Sequence, residues 1–191
     1  MKQDLVCVLS GDVPTTELRI ERALMDRRDL RIERFLLNGF NTRKQHDIDF
    51  QGEDWLDDPR VQTHRKELEK IRADAVYARN TVENGVALRR YLQRLNLLTA
   101  LTVSSETHIP RVKQIFEKVF PRCGFEYLTF DSCPEPNEEL RLSRSRSEVY
   151  QRLFTGLMLF GLSSGRTDMA EVYVKRRYET KLGDLLTRLT R

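Results

Sequence analysis

Short apolar runs alternate along this chain with longer segments whose apolar residues recur at helical spacing. Five runs, each bounded by polar residues or glycine, predict buried strands: "LVCVLS" (5–10), "RFLLNG" (34–39), "DAVYA" (74–78), "ALTVSS" (100–105) and "FEYLTF" (125–130). Helices are predicted between them over 15–28, 59–72, 81–95 and 110–120. Because strands that alternate with helices form βαβ units, the pattern predicts a three-layer α/β fold with a mostly parallel sheet of about five strands.

The helix predicted over 110–120 has the clearest periodicity. Val112, Ile115, Phe116 and Val119 fall at positions i, i+3, i+4 and i+7, which places them in one stripe facing the sheet. After the last strand the pattern predicts a C-terminal helical extension over about 147–190, in two stretches at 147–162 and 167–189. We interpret residues 1–191 as a single domain.

Two irregular segments interrupt this pattern. An acidic insertion at about 46–58 contains the only tryptophan, Trp55, which we expect to act as a packing anchor. A connection at 131–146 contains proline and serine, and its Arg141, Arg144 and Arg146 are expected to form a solvated face rather than a phosphate site.

Composition and charge narrow the functional classes. Hydrophobic residues make up 39% of the 191 residues and charged residues 32%, which is typical of a soluble globular protein. The net charge of +4 is too small to predict a nucleic-acid partner. The three cysteines lack metal-site spacing, and no apolar run is long enough to span a membrane. We therefore expect a cytoplasmic protein with reduced thiols, without a signal peptide and with no membrane partner.

The carboxyl ends of the predicted strands are the expected location of a site, because open parallel sheets bind ligands there. Polar side chains follow all five predicted strands, in the loops Ser10–Asp12, Asn38–Asn41, Arg79–Thr81, Ser104–His108 and Asp131–Cys133. The first loop has neither the glycine spacing of a dinucleotide fingerprint nor the lysine of a P-loop. Asp12 is expected to cap the next helix or to bind a ribose hydroxyl or a cation, and Arg19 or Arg22 to point back to the site.

The segment "NTVEN" (80–84) has two interpretations. As the N-cap of a helix, Asn80 accepts from the N–H of Glu83 while Glu83 reaches back to the N–H of Asn80, in a capping-box arrangement. This explains Asn80 and Glu83 but not Thr81 and Asn84, since asparagine is a mediocre helix former. A capped helix and a ligand-binding wall both stay open at this point.

The segment "SSETHIPR" (104–111) predicts an anion site at a helix start. Pro110 suits the first helical turn, so His108 and Arg111 flank free N–H groups that favour an anion. Arginine binds phosphate or carboxylate through a planar fork, and histidine at this position serves as a donor or as a general acid or base. A surface arginine and a histidine bonded to backbone are the alternative. The histidines lack zinc-type spacing, so no metal site is predicted.

These segments together resemble the YdcF/SanA/ElyC-like family, in its cytosolic YdcF-like branch. The resemblance rests on "VLSGD", "LRIERAL", "NTVEN" and "VSSETHIPR" in this order over about residues 5–120. It implies a Rossmann-like fold, S-adenosylmethionine as a ligand of the cytosolic branch, and cell-envelope or lipid-carrier functions for membrane-anchored branches. The residues matched to the family pattern are Asn80, Thr81, Glu83, Asn84, His108 and Arg111, with Gly11 and Arg19 matching less closely. The chain departs from the family in its Ser-Gly-Asp turn, its acidic insertion and its lack of an anchor.

Three functions follow as hypotheses. The first is binding of a small anionic or nucleotide-like ligand, for which S-adenosylmethionine is the candidate named by resemblance. The second is a hydrolase or transferase acting on a phosphate or pyrophosphate ester, such as a lipid carrier, with His108 as the catalytic residue. The third is a non-catalytic protein that docks a protein partner through the 47–58 loop or the C-terminal helices. The predicted ligand-binding residues are Ser10, Gly11, Asp12, Asn38, Gly39, Asn80, Thr81, Glu83, Asn84, Ser105 and Arg111.

Overall fold

A five-stranded parallel sheet forms the centre of the protein. The structure, a computed structural model, describes residues 3–40, 53–78, 80–120, 124, 126–145 and 148. The strands are β1 (Leu5–Leu9), β2 (Arg34–Asn38), β3 (Asp74–Val76), β4 (Ala100–Ser105) and β5 (Leu128–Cys133), in the order β3-β2-β1-β4-β5. All neighbouring strands are parallel. Together with the helices that flank the sheet, this confirms the predicted three-layer Rossmann-like fold.

The helices lie on both faces of the sheet. They are α1 (Val13–Asp29), α2 (Arg65–Lys70), α3 (Thr81–Arg94) and α4 (Ile109–Val119), with 3-10 helices at Glu53–Asp57 and Pro59–His64. Two apolar cores separate the layers: one contains residues of α1, α2 and the 3-10 helices, and the other contains residues of α3 and α4. Side chains of β1 alternate between them, Val6 and Val8 toward α1 and Cys7 and Leu9 toward α3 and α4.

Two sequence-based expectations about packing are confirmed. Trp55 is buried in the core beside α1, as expected of a packing anchor. The predicted stripe of α4, which is Val112, Ile115, Phe116 and Val119, is buried against the sheet. Residues 46–52 of the acidic insertion lie outside the described residues, as do the predicted C-terminal helices apart from Glu148.

The position predicted for the last strand was wrong. The pattern predicted 125–130, whereas β5 runs from Leu128 to Cys133 and pairs with β4 along its whole length, from Ala100–Leu128 to Ser105–Cys133. Asp131 and Ser132 therefore lie in the strand and not in a following loop. Because β5 is at the edge of the sheet, its polar side chains remain partly exposed while its backbone pairs with β4.

The segment predicted as one helix over 59–72 is two shorter pieces. Residues Pro59–His64 form a 3-10 helix capped by Asp58, whose side chain accepts from the N–H of Arg60. The α-helix begins only at Arg65. In the part of the chain that the structure describes, none of the helices is long and apolar enough to span a membrane.

Candidate functional site

The strand order reverses between β1 and β4, and a cavity lies at the carboxyl ends of these two strands. From β1 the chain runs outward through β2 to β3, whereas β4 and β5 lie on the other side of β1. Ligands bind at such a switch point in open α/β sheets. The cavity has a volume of about 260 Å³ and is lined by Ser10, Gly11, Asp12, Thr15, Arg19, Ser105, Thr107, His108, Arg111, Arg144 and Glu148.

Arg19 joins the ends of β1 and β4 in the cavity wall. Its Nη1 donates to the carbonyl oxygens of Leu9 at 2.8 Å and Ser10 at 2.9 Å, and its Nη2 donates to Oγ of Ser105. The side chain extends from α1 and only 4% of the residue is exposed. Burial lowers the pKa of Arg19 to about 10, so the guanidinium is charged at neutral pH. Among the described residues it forms no ion pair with a carboxylate.

Two small residues, Gly11 and Thr15, line the cavity beside Arg19. A Cβ at Gly11 would lie 3.2 Å from Nη1 of Arg19, so a larger side chain would press on the guanidinium. Thr15 lies in the first turn of α1 and is fully buried. Thr15 lines the cavity. Its buried hydroxyl makes no well-formed hydrogen bond within the described ranges, although it lies close enough to Asp12 to help lower the pKa of that carboxyl.

Asp12 shapes the start of α1. Its Oδ1 accepts from the N–H of Thr15 at 3.2 Å, and its Oδ2 accepts from Nη2 of Arg144. Burial acts to raise its pKa, but the bonds from Thr15 and Arg144 prevail and leave the pKa of Asp12 below its ordinary value. The predicted helix cap is confirmed, and both carboxylate oxygens already have donors.

His108 lies at the start of α4, between β4 and α3. Its Nδ1 is 2.9 Å from Oγ of Ser104, and its Nε2 is 3.2 Å from Oγ1 of Thr81. Burial, and then the positive charges of Arg19, Arg111 and Arg144, hold the pKa of His108 well below 6.5. The imidazole is therefore neutral at pH 7, and it links the "NTVEN" helix to the cavity.

This burial makes stability depend on pH. In the unfolded chain His108 has a pKa near 6.5, so from about pH 6.5 downward the unfolded state binds a proton that the folded state does not. We expect the free energy of unfolding to fall as pH falls, by up to about 1.4 kcal/mol per pH unit from this group. Urea denaturation between pH 7.5 and 5 should show a flatter profile for His108→Gln than for wild type.

The comparison of variants isolates His108 from other titrating groups. Asp26 acts in the opposite direction, because its pKa is raised to about 6, but its contribution is common to wild type and variant. His64→Gln, outside the cavity, controls for the loss of an imidazole elsewhere. Parallel pH profiles for wild type and His108→Gln would show that His108 does not titrate as described.

Three ion pairs connect the end of the described chain, at Arg144 and Glu148, to the cavity wall. Nη2 of Arg111 lies 2.9 Å from Oε1 of Glu148. Arg144, in a helical stretch over 138–145, pairs with both Asp12 and Glu135. Glu135 also accepts from the hydroxyl of Thr107.

The expectation that Arg141, Arg144 and Arg146 form a solvated face is therefore only partly correct. Arg141 is exposed and pairs with Glu138, as expected. For Arg144 the expectation was wrong, because the carboxylates of Asp12 and Glu135 hold it in the cavity wall. Arg146 lies outside the described residues.

Six of the predicted site residues line the cavity, and the others lie behind it. Those in the lining are Ser10, Gly11, Asp12, Ser105, His108 and Arg111. Those outside the lining are Asn38, Gly39, Asn80, Thr81, Glu83 and Asn84. Of the two arginines expected to point back, Arg19 does so, while Arg22 pairs with Asp131 on β5.

The "NTVEN" segment forms a supporting network. Oδ1 of Asn80 accepts from the N–H groups of Val82 and Glu83 at 3.0 Å, which confirms the predicted cap. Glu83 reaches back to the side chain of Asn80, whose Nδ2 donates to Oε1 of Glu83 at 2.9 Å, where the capping box predicted the backbone N–H of Asn80 as the donor. Nδ2 of Asn38 donates to the carbonyl of Asn84 at 2.9 Å, which ties the end of β2 to α3. Through Thr81 and His108 this network fixes the cavity wall.

Four lining residues were not predicted: Thr15, Thr107, Arg144 and Glu148. Thr15 and Thr107 lie within three residues of predicted ones, so proximity to a helix start was an available signal. Arg144 and Glu148 follow β5 and reach the cavity only through the tertiary fold, and no local motif marks them.

Comparison of the chain with family models, with curated proteins and with solved structures finds no match in any of the three. The described residues also contain no cluster of three or more His, Cys, Asp or Glu side chains able to hold a metal ion. The lining of the cavity presents guanidinium groups, hydroxyls and carboxylates.

Proposed function

We propose that the protein binds a small anionic or nucleotide-like ligand in the cavity between β1 and β4. The observation that carries this proposal is Arg19, a buried guanidinium in the cavity wall that pairs with no carboxylate of the described chain. Holding an isolated charge in a protein interior costs several kcal/mol, and an opposite charge in contact offsets part of that cost. A bound anion supplies this charge.

The N-terminal ends of α1 and α4 also favour a negatively charged ligand. α1 follows β1 and α4 follows β4, and they pack on opposite faces of the sheet. Each therefore directs its N-terminal end toward the switch point, where the helix dipole favours an anion. Arg111 in the first turn of α4 adds a second guanidinium.

The size of the cavity favours a small ligand. Its volume of about 260 Å³ falls just below the roughly 300–1,000 Å³ typical of drug-sized ligands. The resemblance to the YdcF/SanA/ElyC-like family supports S-adenosylmethionine, which needs an acidic partner for its ribose. The two candidate acidic partners are already bonded, Asp12 to Thr15 and Arg144, and Asp131 to Arg22. The cavity therefore supports an anionic group in the ligand more strongly than it supports an adenosyl group.

His108 fits a positioning role better than proton transfer. Both ring nitrogens lie within hydrogen-bond distance of a hydroxyl, those of Thr81 and Ser104. A general acid or base needs one nitrogen directed at the substrate, so transfer would require one of these bonds to break first. We therefore propose binding, rather than turnover of a phosphate ester, as the function of the site.

Replacement of Arg111 tests the site. Pyrophosphate, adenosine monophosphate and S-adenosylmethionine are titrated into wild type, Arg111→Gln and the matched control Arg141→Gln, whose arginine is exposed. A ligand at 100 times its Kd adds about 2.7 kcal/mol, which at this size raises the Tm by roughly 5–10 °C. We expect this shift in wild type and Arg141→Gln, and an affinity about 10- to 100-fold weaker in Arg111→Gln, because a charged hydrogen bond is lost.

The Tm of each unliganded variant is measured first, so that lost binding is distinguished from lost structure. An unchanged affinity in Arg111→Gln would place the ligand away from this cavity. No shift with any of the three compounds in wild type would contradict the proposed function.

A further inference from the structure

Two aspartates from different elements meet on one arginine where α1 packs on β5. Nε of Arg22 lies 2.5 Å from Oδ2 of Asp131, and Nη2 of Arg22 lies 3.3 Å from Oδ1 of Asp26. These two nitrogens form one edge of the guanidinium, a fork that a single carboxylate commonly fills with both of its oxygens. Two carboxylates therefore share a space that suits one, and they lie side by side.

The alternation of side chains along β5 directs Asp131 toward α1. Leu128 and Phe130 pack in the core beside α3 and α4, so Asp131 points to the opposite face of the sheet. A hydrogen bond between Asp26 and Asp131 acts on the pKa of both carboxyl groups. The two groups thus form a direct contact between the helix and the edge strand.

One oxygen of Asp26 lacks a donor. Only 8% of the residue is exposed, and its Oδ2 is buried without a hydrogen-bond partner among the described residues. A charged carboxylate in this position leaves a buried acceptor unsatisfied, which is costly. A protonated carboxyl group can instead donate through its own O–H, and the neighbouring carboxylate of Asp131 can accept.

The charges around Asp26 favour a proton on its carboxyl group. Burial, and then the hydrogen bond and negative charge of Asp131, raise the pKa of Asp26 to about 6, and Arg22 opposes them only in part. Asp29, nearly one turn further along α1, adds another negative charge. Burial acts to raise the pKa of Asp131 also, but the bonds from Arg22 and Asp26 prevail and keep it below its ordinary value. The proton therefore resides mainly on Asp26, with Asp131 as the acceptor.

The other elements that pack on α1 bring few charges to this pair. β1 and β4 carry no charged side chain, and the 3-10 helix with Arg60 and His64 bonds to Glu17 of α1, more than two turns before Asp26. On β5 the thiol of Cys133 is neutral up to pH 7.5, because burial raises its pKa. The described residues contain no cluster of three or more metal-ligating side chains, so a proton suits the pair better than a metal ion.

We propose that Asp26 and Asp131 share one proton, and that this carboxyl–carboxylate hydrogen bond clasps α1 to the edge strand β5. The proton comes from solvent as pH falls and returns to solvent as pH rises. Its loss leaves two carboxylates on the single guanidinium of Arg22, so their repulsion weakens the contact. Within the sheet β5 pairs only with β4, and the clasp gives this edge strand a second attachment.

The clasp is strongest at low pH. Asp26 has an ordinary pKa of 3.8 in the unfolded chain and a raised pKa of about 6 in the folded protein. Between these values the folded state holds a proton that the unfolded state does not. The stability that the clasp contributes is therefore fully present below about pH 4 and is lost as pH rises through about 6.

NMR titration of the aspartate carboxyl carbons measures the proton directly, in full-length wild type, Asp131→Asn and Asp29→Asn. We expect Asp26 of wild type to titrate with a midpoint near pH 6. In Asp131→Asn the neighbouring charge is removed and the amide donates to Asp26, so the midpoint should fall by at least about one pH unit. Asp29→Asn, which removes an exposed carboxylate from the same helix, should lower the midpoint by less than half as much.

Replacement of Asp26 with asparagine tests the clasp itself. The amide has the shape of the protonated carboxyl group and donates to Asp131 at every pH. We expect the Tm of Asp26→Asn to exceed that of wild type by about 2–5 °C at pH 7.5, and the difference to shrink at pH 5. Amide hydrogen exchange in β5, corrected for intrinsic rates, should be slower relative to wild type at pH 7.5 but not at pH 5.

Two results would overturn the proposal. An unchanged midpoint for Asp26 in Asp131→Asn would show that burial alone raises the pKa and that no proton is shared. A Tm difference between Asp26→Asn and wild type that is equal at pH 5 and 7.5 would show that the proton does not hold α1 to β5. If Asp131→Asn does not fold, a midpoint near pH 4 for Asp26 in wild type would overturn the proposal in its place.

Discussion

Replacing Gly39 with alanine is expected to lower the free energy of unfolding by about 2–4 kcal/mol. Gly39 follows β2 with a φ of +91°, a backbone conformation that residues with a Cβ rarely adopt. The added Cβ would also lie 2.3 Å from Oγ of Ser10 and 3.1 Å from Oδ1 of Asn84. Ser10 would have to move and give up its 2.9 Å hydrogen bond to the carbonyl of Gly39.

Urea denaturation of Gly39→Ala and Gly11→Ala measures this effect. Gly11 lies at the same edge of the sheet but has an ordinary φ, and the nearest atom to its added Cβ would be Nη1 of Arg19, at 3.2 Å. We expect Gly11→Ala to lose less than about 1 kcal/mol. An equal loss in the two variants would show that the positive φ and the contact with Ser10 are not what Gly39 provides. Because Ser10 lines the cavity, Gly39→Ala should also weaken anion binding.

Replacing Phe116 with alanine is expected to cost about 3–5 kcal/mol and to lower the Tm by roughly 6–20 °C. Phe116 is fully buried in α4, where its ring centroid lies 5.8 Å from that of Phe120 and 6.1 Å from that of Phe130. It packs so closely on α3 that a Cβ at Gly85 would lie 3.2 Å from its ring. Truncation therefore leaves a cavity between α3, α4 and the sheet that the backbone cannot fill.

Phe130→Ala provides the matched comparison for Phe116→Ala. Phe130 carries the same ring on β5 but is only partly buried, so less apolar area is lost on truncation. We expect less than half the loss of stability seen for Phe116→Ala, measured by thermal and urea denaturation. Equal losses would mean that the packing of α4 does not dominate this core.

Buried strands and helix starts were predictable from the sequence because their signals are local. β1, β2 and β4 lie within one residue of prediction, since central parallel strands read as continuous apolar runs. β5 was displaced by three residues, because an edge strand carries polar side chains such as Asp131 and Ser132 that no apolar run reveals.

The site residues also divide into those with a local signal in the sequence and those without one. His108 and Arg111 were found because a proline and a preceding strand mark their helix start. "NTVEN" drew attention for its polar residues, which form the support behind the cavity and not its lining. Arg144 reaches Asp12 from 132 residues away, and Glu148 reaches Arg111 from beyond the last strand. Contacts of this kind depend on how the elements pack, so no spacing in the sequence encodes them.

The bond from Arg19 to Ser105 has a consequence for assembly. It joins residues 86 apart in the chain, across the pairing of β1 with β4. The half of the fold made of β1, α1, β2 and β3 contains Arg19 but lacks Ser105, His108 and Arg111, so it holds no complete cavity. Closing so long a loop costs conformational entropy, and this cost arises when β4 docks on β1. The anion proposed for this cavity would therefore report that β4 has docked on β1, since β1, β2 and β3 with their helices do not present the cavity without it.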